Sequence, residues 1–226
     1  MTPNSPVTKA TILISGNGSN LQALIDSTAN LLPNLKIVRV ISNKKEAYGL
    51  KRAEAASIPT TYHNLIAGKY YKAGEPDAAM KQKGREKYDK DLANIILADS
   101  PDIVICAGWM HILTPTFLDP FAAENIPIIN LHPALPGKYD GARAIERAYA
   151  DFEVGGLEDG MTGIMIHYVI SEVDAGEPII VRKIECKKGE TLEELQERIH
   201  KEEHTLIIEG TQLAISRLWR ERNNSS

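Results

Sequence analysis

Cysteine is scarce in this chain: two residues, Cys106 and Cys186, in 226. They have no metal-ligand spacing, and two thiols so far apart make neither a disulfide scaffold nor a zinc ribbon. Cys106 lies inside an apolar run, so buried free thiols in a reducing compartment are expected. A surplus of positive charge is also missing. Lys and Arg number 26 against 30 Asp and Glu, a net charge of −4, which argues against a nucleic-acid protein held by bulk electrostatics. No apolar run approaches the roughly 20 residues of a membrane span. The start, Met1-Thr2-Pro3-Asn4-Ser5-Pro6, lacks the basic region and apolar core of a signal peptide. A cytoplasmic protein is the expectation. Internal repeats and low-complexity linkers are absent, so one continuous domain over residues 1–226 is expected.

What is present reads as an α/β protein. Short apolar runs at Ala10–Ser15, Ile37–Ser42, Pro59–His63, Ile103–Ala107 and Ile128–Leu131 alternate with helical patterns near Asn20–Leu31, Ala47–Ala56, Ala78–Asp99 and Ala142–Ala150. Such alternation predicts a mostly parallel sheet with crossover helices over about 10–150. Asn64–Asp77 reads as an irregular insertion and Asp151–Gly160 as an acidic loop. Thereafter two runs, Thr162–Ile170 and Pro178–Cys186, predict an antiparallel extension over about 151–220, closed by a helix from Leu192 to about Gly210.

Asn130-Leu131-His132-Pro133 is the stretch richest in chemistry. Strand side chains alternate, so Asn130 and His132 share a face. Pro133 ends the ladder and leaves them at the strand's carboxyl end, where open α/β sheets bind ligands. An amide donor beside an imidazole suits a reaction that puts negative charge on a carbonyl oxygen. A structural pair at a loop mouth is the alternative. Asp174, in Glu172-Val173-Asp174-Ala175-Gly176, would raise the His132 pKa if held near it; it could equally be a turn aspartate bonded to its own backbone.

Ser15-Gly16-Asn17-Gly18-Ser19-Asn20 joins the first strand to the first helix. Ser19 and Gln22 have capping-box spacing, which predicts a helix starting just after Ser19. Its first amides would form an anion site, with Gly16 and Gly18 letting a ligand approach the backbone. Leu21 occupies the third glycine position of a dinucleotide fingerprint, and no Gly-Lys-Ser/Thr follows. A nucleotide monophosphate or sugar phosphate fits better than NAD or ATP, and an ordinary tight turn remains open. On the last helix, capped by Thr191 and Glu194, Glu203 falls inside the stripe Leu192, Leu195, Ile199, Leu206, flanked by His200. Either it meets a ligand's polar groups or the helix tilts there into water.

Three motifs in order, Ile14-Ser15-Gly16-Asn17-Gly18-Ser19-Asn20-Leu21-Gln22, Ala107-Gly108-Trp109-Met110-His111-Ile112-Leu113 and Asn130-Leu131-His132-Pro133-Ala134-Leu135-Pro136-Gly137, followed by Asp174-Ala175-Gly176, resemble the folate-dependent glycinamide ribonucleotide formyltransferase family from about Thr11 to Leu218. The resemblance implies a Rossmann-like formyltransferase fold. It also implies transfer of formyl from 10-formyltetrahydrofolate, as co-substrate, to glycinamide ribonucleotide in purine synthesis, with no metal. Asn130, His132 and Asp174 match the catalytic trio. Gly18, Ser19 and Asn20 match the substrate-phosphate loop, and His200, Lys201, Glu202 and Glu203 the segment holding the rest of that substrate. Arg85, in Gly84-Arg85-Glu86-Lys87-Tyr88-Asp89, matches a folate-contacting arginine. Met110, His111, Ile112 and Leu113 match the folate-pocket wall, and Ile170, Ser171, Glu172, Val173 and Asp174 the loop over the pterin; Asn130 belongs to the folate set too. His200 stands where many members carry glutamine. The implied mechanism has Asn130 and a protonated His132 donating to the oxyanion, with Asp174 keeping the imidazolium charged. Partners are then small molecules, with neither nucleic acid nor membrane; oligomeric state is not legible. Formyltetrahydrofolate hydrolases and methionyl-tRNA formyltransferases carry an extra N-terminal or C-terminal domain. The expected first strand at Ala10 and an end soon after Trp219 disfavour both. A non-catalytic binding module is the rival from another class.

Overall fold

The computed structural model describes residues 6–157 and 159–224; the polar start at residues 1–5 lies outside them. The elements are β1 (Thr8–Ile14), α1 (Ser19–Ser27), β2 (Leu35–Ser42), α2 (Tyr48–Ala55), β3 (Thr60–Tyr62), α3 (Ala78–Leu97), β4 (Ile103–Cys106), α4 (Pro115–Ala123), β5 (Ile128–His132), α5 (Ala144–Glu153), β6 (Met161–Tyr168), β7 (Pro178–Glu185) and α6 (Leu192–Asn224). The strand order is β3-β2-β1-β4-β5-β6-β7: a mostly parallel, Rossmann-like sheet with helices and an antiparallel C-terminal extension, as expected. The chain falls into two compact units, through Ile128 and from Ile129.

In the first unit β1 pairs in parallel with both β2 and β4, and β2 with β3. Residues Ala10 and Ile12–Ile14 of β1 and all of β4 are buried. Strands covered on both faces need such near-continuous apolar runs. The Asp77 side chain accepts from the Ala79 and Met80 amides at 2.8 and 3.2 Å and starts α3. Residues 64–77 form turns, as expected of the insertion. α1 stops at Ser27, short of the predicted Leu31. α4 was not expected at all: Pro115 stands at its first turn, where a missing N–H costs nothing, but Pro120 inside it hides the helical pattern.

In the second unit β5, β6 and β7 pair antiparallel, with Asn130 opposite His167 and His132 opposite Met165. β6 ends at Tyr168, two residues before the predicted Ile170, and α5 runs to Glu153, into the predicted acidic loop. The capping box of α6 forms as expected: Thr191 N–H donates to Glu194 at 2.8 Å, and the Glu194 N–H to the Thr191 hydroxyl at 3.2 Å. The helix does not end near Gly210; it continues to Asn224. There the missing side chain serves close packing, because a Cβ on Gly210 would lie 2.5 Å from Ile166.

Candidate active site

β5 delivers Asn130 and His132 to one side of its carboxyl end, and the turn after β6 brings Asp174 to them. Asp174 Oδ2 lies 3.3 Å from His132 Nδ1, with both side chains over nine-tenths buried. Its Oδ1 lies 3.3 Å from Asn130 Nδ2. The Gly141 N–H donates to Oδ2 at 2.7 Å. Asp174 is thus not merely a turn aspartate. It holds a left-handed backbone, φ 53°, and Gly176 behind it closes tightly: a Cβ there would lie 1.7 Å from the Tyr168 carbonyl oxygen.

The electrostatics of this cluster correct one expectation. Burial pushes the His132 pKa down and outweighs the upward pulls of Asp174 and the Lys138 backbone. His132 is therefore neutral at rest around pH 7, not an imidazolium. Burial also works against charge on Asp174, but contacts with His167, the Gly141 N–H and His132 prevail and hold its carboxyl below the ordinary range. A carboxylate oxygen only accepts, so the neutral ring carries its hydrogen on Nδ1, facing Asp174. Nε2 is left bare, buried and without a hydrogen-bond partner among the described residues.

Sequence reasoning missed His167, which completes this cluster. Its Nε2 lies 3.2 Å from Asn130 Nδ2 and 3.4 Å from Asp174 Oδ1, and its Nδ1 2.8 Å from the Tyr168 carbonyl. The available signal was a polar side chain in the apolar run Ile164-Met165-Ile166. Gly141 was missed as well, since backbone donors leave no trace in composition.

In the first unit Gly18 caps α1 in a left-handed conformation, φ 75°, with no side-chain cap. The predicted Ser19–Gln22 capping box does not form: Ser19 is already helical, and the Gln22 side chain bonds Asp26 and Arg52 instead. Gly18 lacks a side chain chiefly for the fold, because a Cβ would lie 2.6 Å from the Gly49 Cα. Gly16, by contrast, has nothing within 4 Å of where its Cβ would be. Gln22 N–H, bonded to Gly18 O at 2.9 Å, makes the first turn of α1; the amides ahead of it stand at the positive end of the helix. Arg52 adds charge there, donating to the Asn17 carbonyl and side-chain oxygens, both at 3.0 Å.

The expected folate residues of the first unit gather together. Arg85 donates to Asp89 at 3.1 Å and to the Ile112 carbonyl, and lies over the Tyr88 ring. Asp89, fully buried, accepts from the Thr114 amide and hydroxyl, fastening α3 to the 107–114 segment. The Met110 amide donates to the Ser15 hydroxyl at 2.9 Å. Met110 and Ile112 are exposed while Leu113 is buried. Burial pushes the His111 pKa down to about 4. The Trp109 Nε1 and His111 Nδ1 atoms are buried without partners among the described residues.

In the second unit, Ile170, Ser171, Glu172 and Val173 form an exposed loop with two bare apolar side chains, Ile170 and Val173. On α6 Glu203 is buried, as its place in the stripe predicts, while His200, Lys201 and Glu202 are exposed. Glu202 is engaged by Arg182 at 2.8 Å. No group of His, Cys, Asp or Glu among the described residues is arranged to hold a metal ion, and no helix among them is long and apolar enough to cross a membrane.

Comparison with known proteins gives this geometry a context. The formyl transferase family matches residues 8–211. Phosphoribosylglycinamide formyltransferase of Schizosaccharomyces pombe is 46% identical over 206 residues, 90% of this chain and 95% of that protein. The protein of the same name in Dictyostelium discoideum is 48% identical over 205 residues, 89% and 95% of the two chains. Among solved structures, glycinamide ribonucleotide transformylase 1 of Symbiobacterium toebii matches with a TM-score of 0.76 at 28% identity, over 93% of this chain and 88% of that one. The chain is a member of the formyl transferase family, and within it of the phosphoribosylglycinamide formyltransferases.

Proposed function

We propose that residues 1–226 act as one formyltransferase domain that moves the formyl group of 10-formyltetrahydrofolate to the amine of glycinamide ribonucleotide, with Asn130, His132 and Asp174 as its catalytic trio. The observation that carries this reading is the buried His132–Asp174 pair, 3.3 Å apart, beside Asn130 at a strand end. The substrate amine attacks the formyl carbon and its carbonyl oxygen becomes anionic. Bare Nε2 of His132 takes a proton from the nitrogen that attacked, and Asp174 stabilises the imidazolium so formed. Asn130 Nδ2–H donates to the oxyanion. As the bond from carbon to the folate N10 breaks, the imidazolium returns its proton to that nitrogen. Atoms and charge balance, and His132 ends as it began.

Binding roles follow the same reading. Gly18, Ser19 and Asn20 hold the ribonucleotide phosphate, supported by the helix end and Arg52. Glu203, with His200, Lys201 and Glu202, holds the rest of that substrate. Arg85, Met110, His111, Ile112 and Leu113 line the folate site, and Ile170, Ser171, Glu172 and Val173 cover the pterin. The net charge of −4 supports small-molecule partners over nucleic acid, and two free, buried cysteines support the cytoplasm. The deciding experiment measures folate product with and without glycinamide ribonucleotide. Turnover only with the ribonucleotide is expected. Turnover without it would make the protein a hydrolase, and none at all a binding module.

A further inference from the structure

We propose that Arg147 is a positioning residue for Asp174: it holds the Asp140–Gly141 peptide in the orientation that turns the Gly141 N–H onto the carboxylate. The proposal rests on the role given to Asp174 beside His132. Its ground is a single peptide unit gripped from both sides. On one side Arg147 Nη2 donates to the Asp140 carbonyl at 2.7 Å. On the other the Gly141 N–H donates to Asp174 Oδ2 at 2.7 Å. That oxygen is the one facing His132 Nδ1. The peptide is trans and planar, so its oxygen and its N–H point in opposite directions. Fixing the oxygen toward Arg147 therefore fixes the N–H toward Asp174. A half-turn of this peptide would break both bonds at once and set the Asp140 oxygen, an acceptor, against a carboxylate.

Such a flip is cheap in this sequence. It changes chiefly ψ at residue 140 and φ at residue 141, and Gly141, at φ 79°, accepts either sign of φ. Nothing lies within 4 Å of where its Cβ would be, so packing does not forbid the turn. The hold comes from α5, where Arg147 and Asp151 stand one turn apart on the same face. Arg147 Nη2 also donates to the Tyr139 carbonyl, and its two N–H bonds suffice for both oxygens. The guanidinium lies over the Tyr139 ring, 5.8 Å from its centroid, while the Tyr139 hydroxyl donates to Asp151 at 2.7 Å. The backbone bears the mark of this grip. Tyr139 and Arg143 hold left-handed conformations, φ 52° and 55°, which residues with side chains seldom keep unless contacts impose them.

The test reads the Gly141 amide directly. Labelling aspartate carbonyls with ¹³C and glycine nitrogens with ¹⁵N selects the Asp140–Gly141 and Asp159–Gly160 amides, the two Asp-Gly pairs of the chain. The Gly141 proton, bonded to a carboxylate, should lie downfield. In Arg147→Met it should move toward its position in Asp174→Ala, while the Gly160 signal stays. The same variant should lower kcat about 10-fold with KM changed less than about 2-fold, because Asn130 and His167 still hold the other oxygen. Arg147→Lys restores a donor and should recover at least about 3-fold of that loss, with thermal melts of both variants reporting folding. In an Asp174→Ala background, Arg147→Met should cost less than about 2-fold more, because residues that act through one another are not additive. An unmoved amide, a change confined to KM, or losses that simply multiply overturns the role of Arg147 alone. Normal turnover of Asp174→Ala would sink the trio, and this proposal with it.

Discussion

The cluster around Asp174 and the loop from Gly16 to Ser19 place their polar groups in opposite ways. Around Asp174 the groups are side chains, over nine-tenths buried for both histidines and the carboxylate, each oriented by another. At the loop they are backbone amides at a helix start, next to the open space at Gly16. Burial magnifies electrostatic interactions and makes an unpaired group costly. On the proposed reading the buried cluster exploits that as a proton-transfer centre, because orientation and pKa decide its rate. The loop, read as a phosphate site, meets a group that carries its own charge and needs only donors that are already fixed.

Breaking the buried cluster should have the largest effect. Asn130→Ala or His132→Ala is expected to lower kcat by about 10²–10³-fold with little change in KM, measured by steady-state kinetics. Gly176→Ala comes next. Its new methyl cannot coexist with the Tyr168 carbonyl, so melting should show a loss of about 1–3 kcal/mol, and kcat should fall with it.

A pH experiment sharpens the contrast. Burial lowers the pKa of His132, as it does for His63 and His111. The unfolded chain therefore takes up these protons first, and stability should decline as pH falls below about 6.5. His132→Gln should show a shallower decline in denaturant titrations between about pH 7 and 5. Asp174→Asn removes an upward pull on His132, so the acid limb of the kcat/KM profile should move to lower pH as activity falls. An unmoved limb would argue against the pair. The smallest effect belongs to the open loop: Gly16→Ala should leave stability within about 0.5 kcal/mol and raise KM for the ribonucleotide alone. Unchanged KM would remove Gly16 from the phosphate site.

Much of this was legible because strand alternation and motif order are local. The parity of Asn130 and His132, the stop at Pro133 and Glu203 inside an apolar stripe could be read directly. Three things could not. Asp174 approaches His132 through a turn whose path depends on Gly141 and Gly176. The protonation of His132 depends on burial, which no sequence window measures, so the attraction of Asp174 was overrated. α4 and the far half of α6 were obscured by Pro120 and Gly210, residues that usually interrupt helices and are here accommodated by position and packing.

The hydrogen bond from the Met110 amide to the Ser15 hydroxyl has a thermodynamic consequence. Ser15 adjoins the glycine loop and Met110 begins the stretch assigned to folate, so a ligand that displaces either end strains the other. Linkage makes such coupling reciprocal: each substrate should alter the affinity of its companion by the same factor. The bond bounds the coupling free energy behind that factor at about 0.5–1.5 kcal/mol. Ser15→Ala, followed by calorimetry with one ligand and then both, would make the two affinities independent.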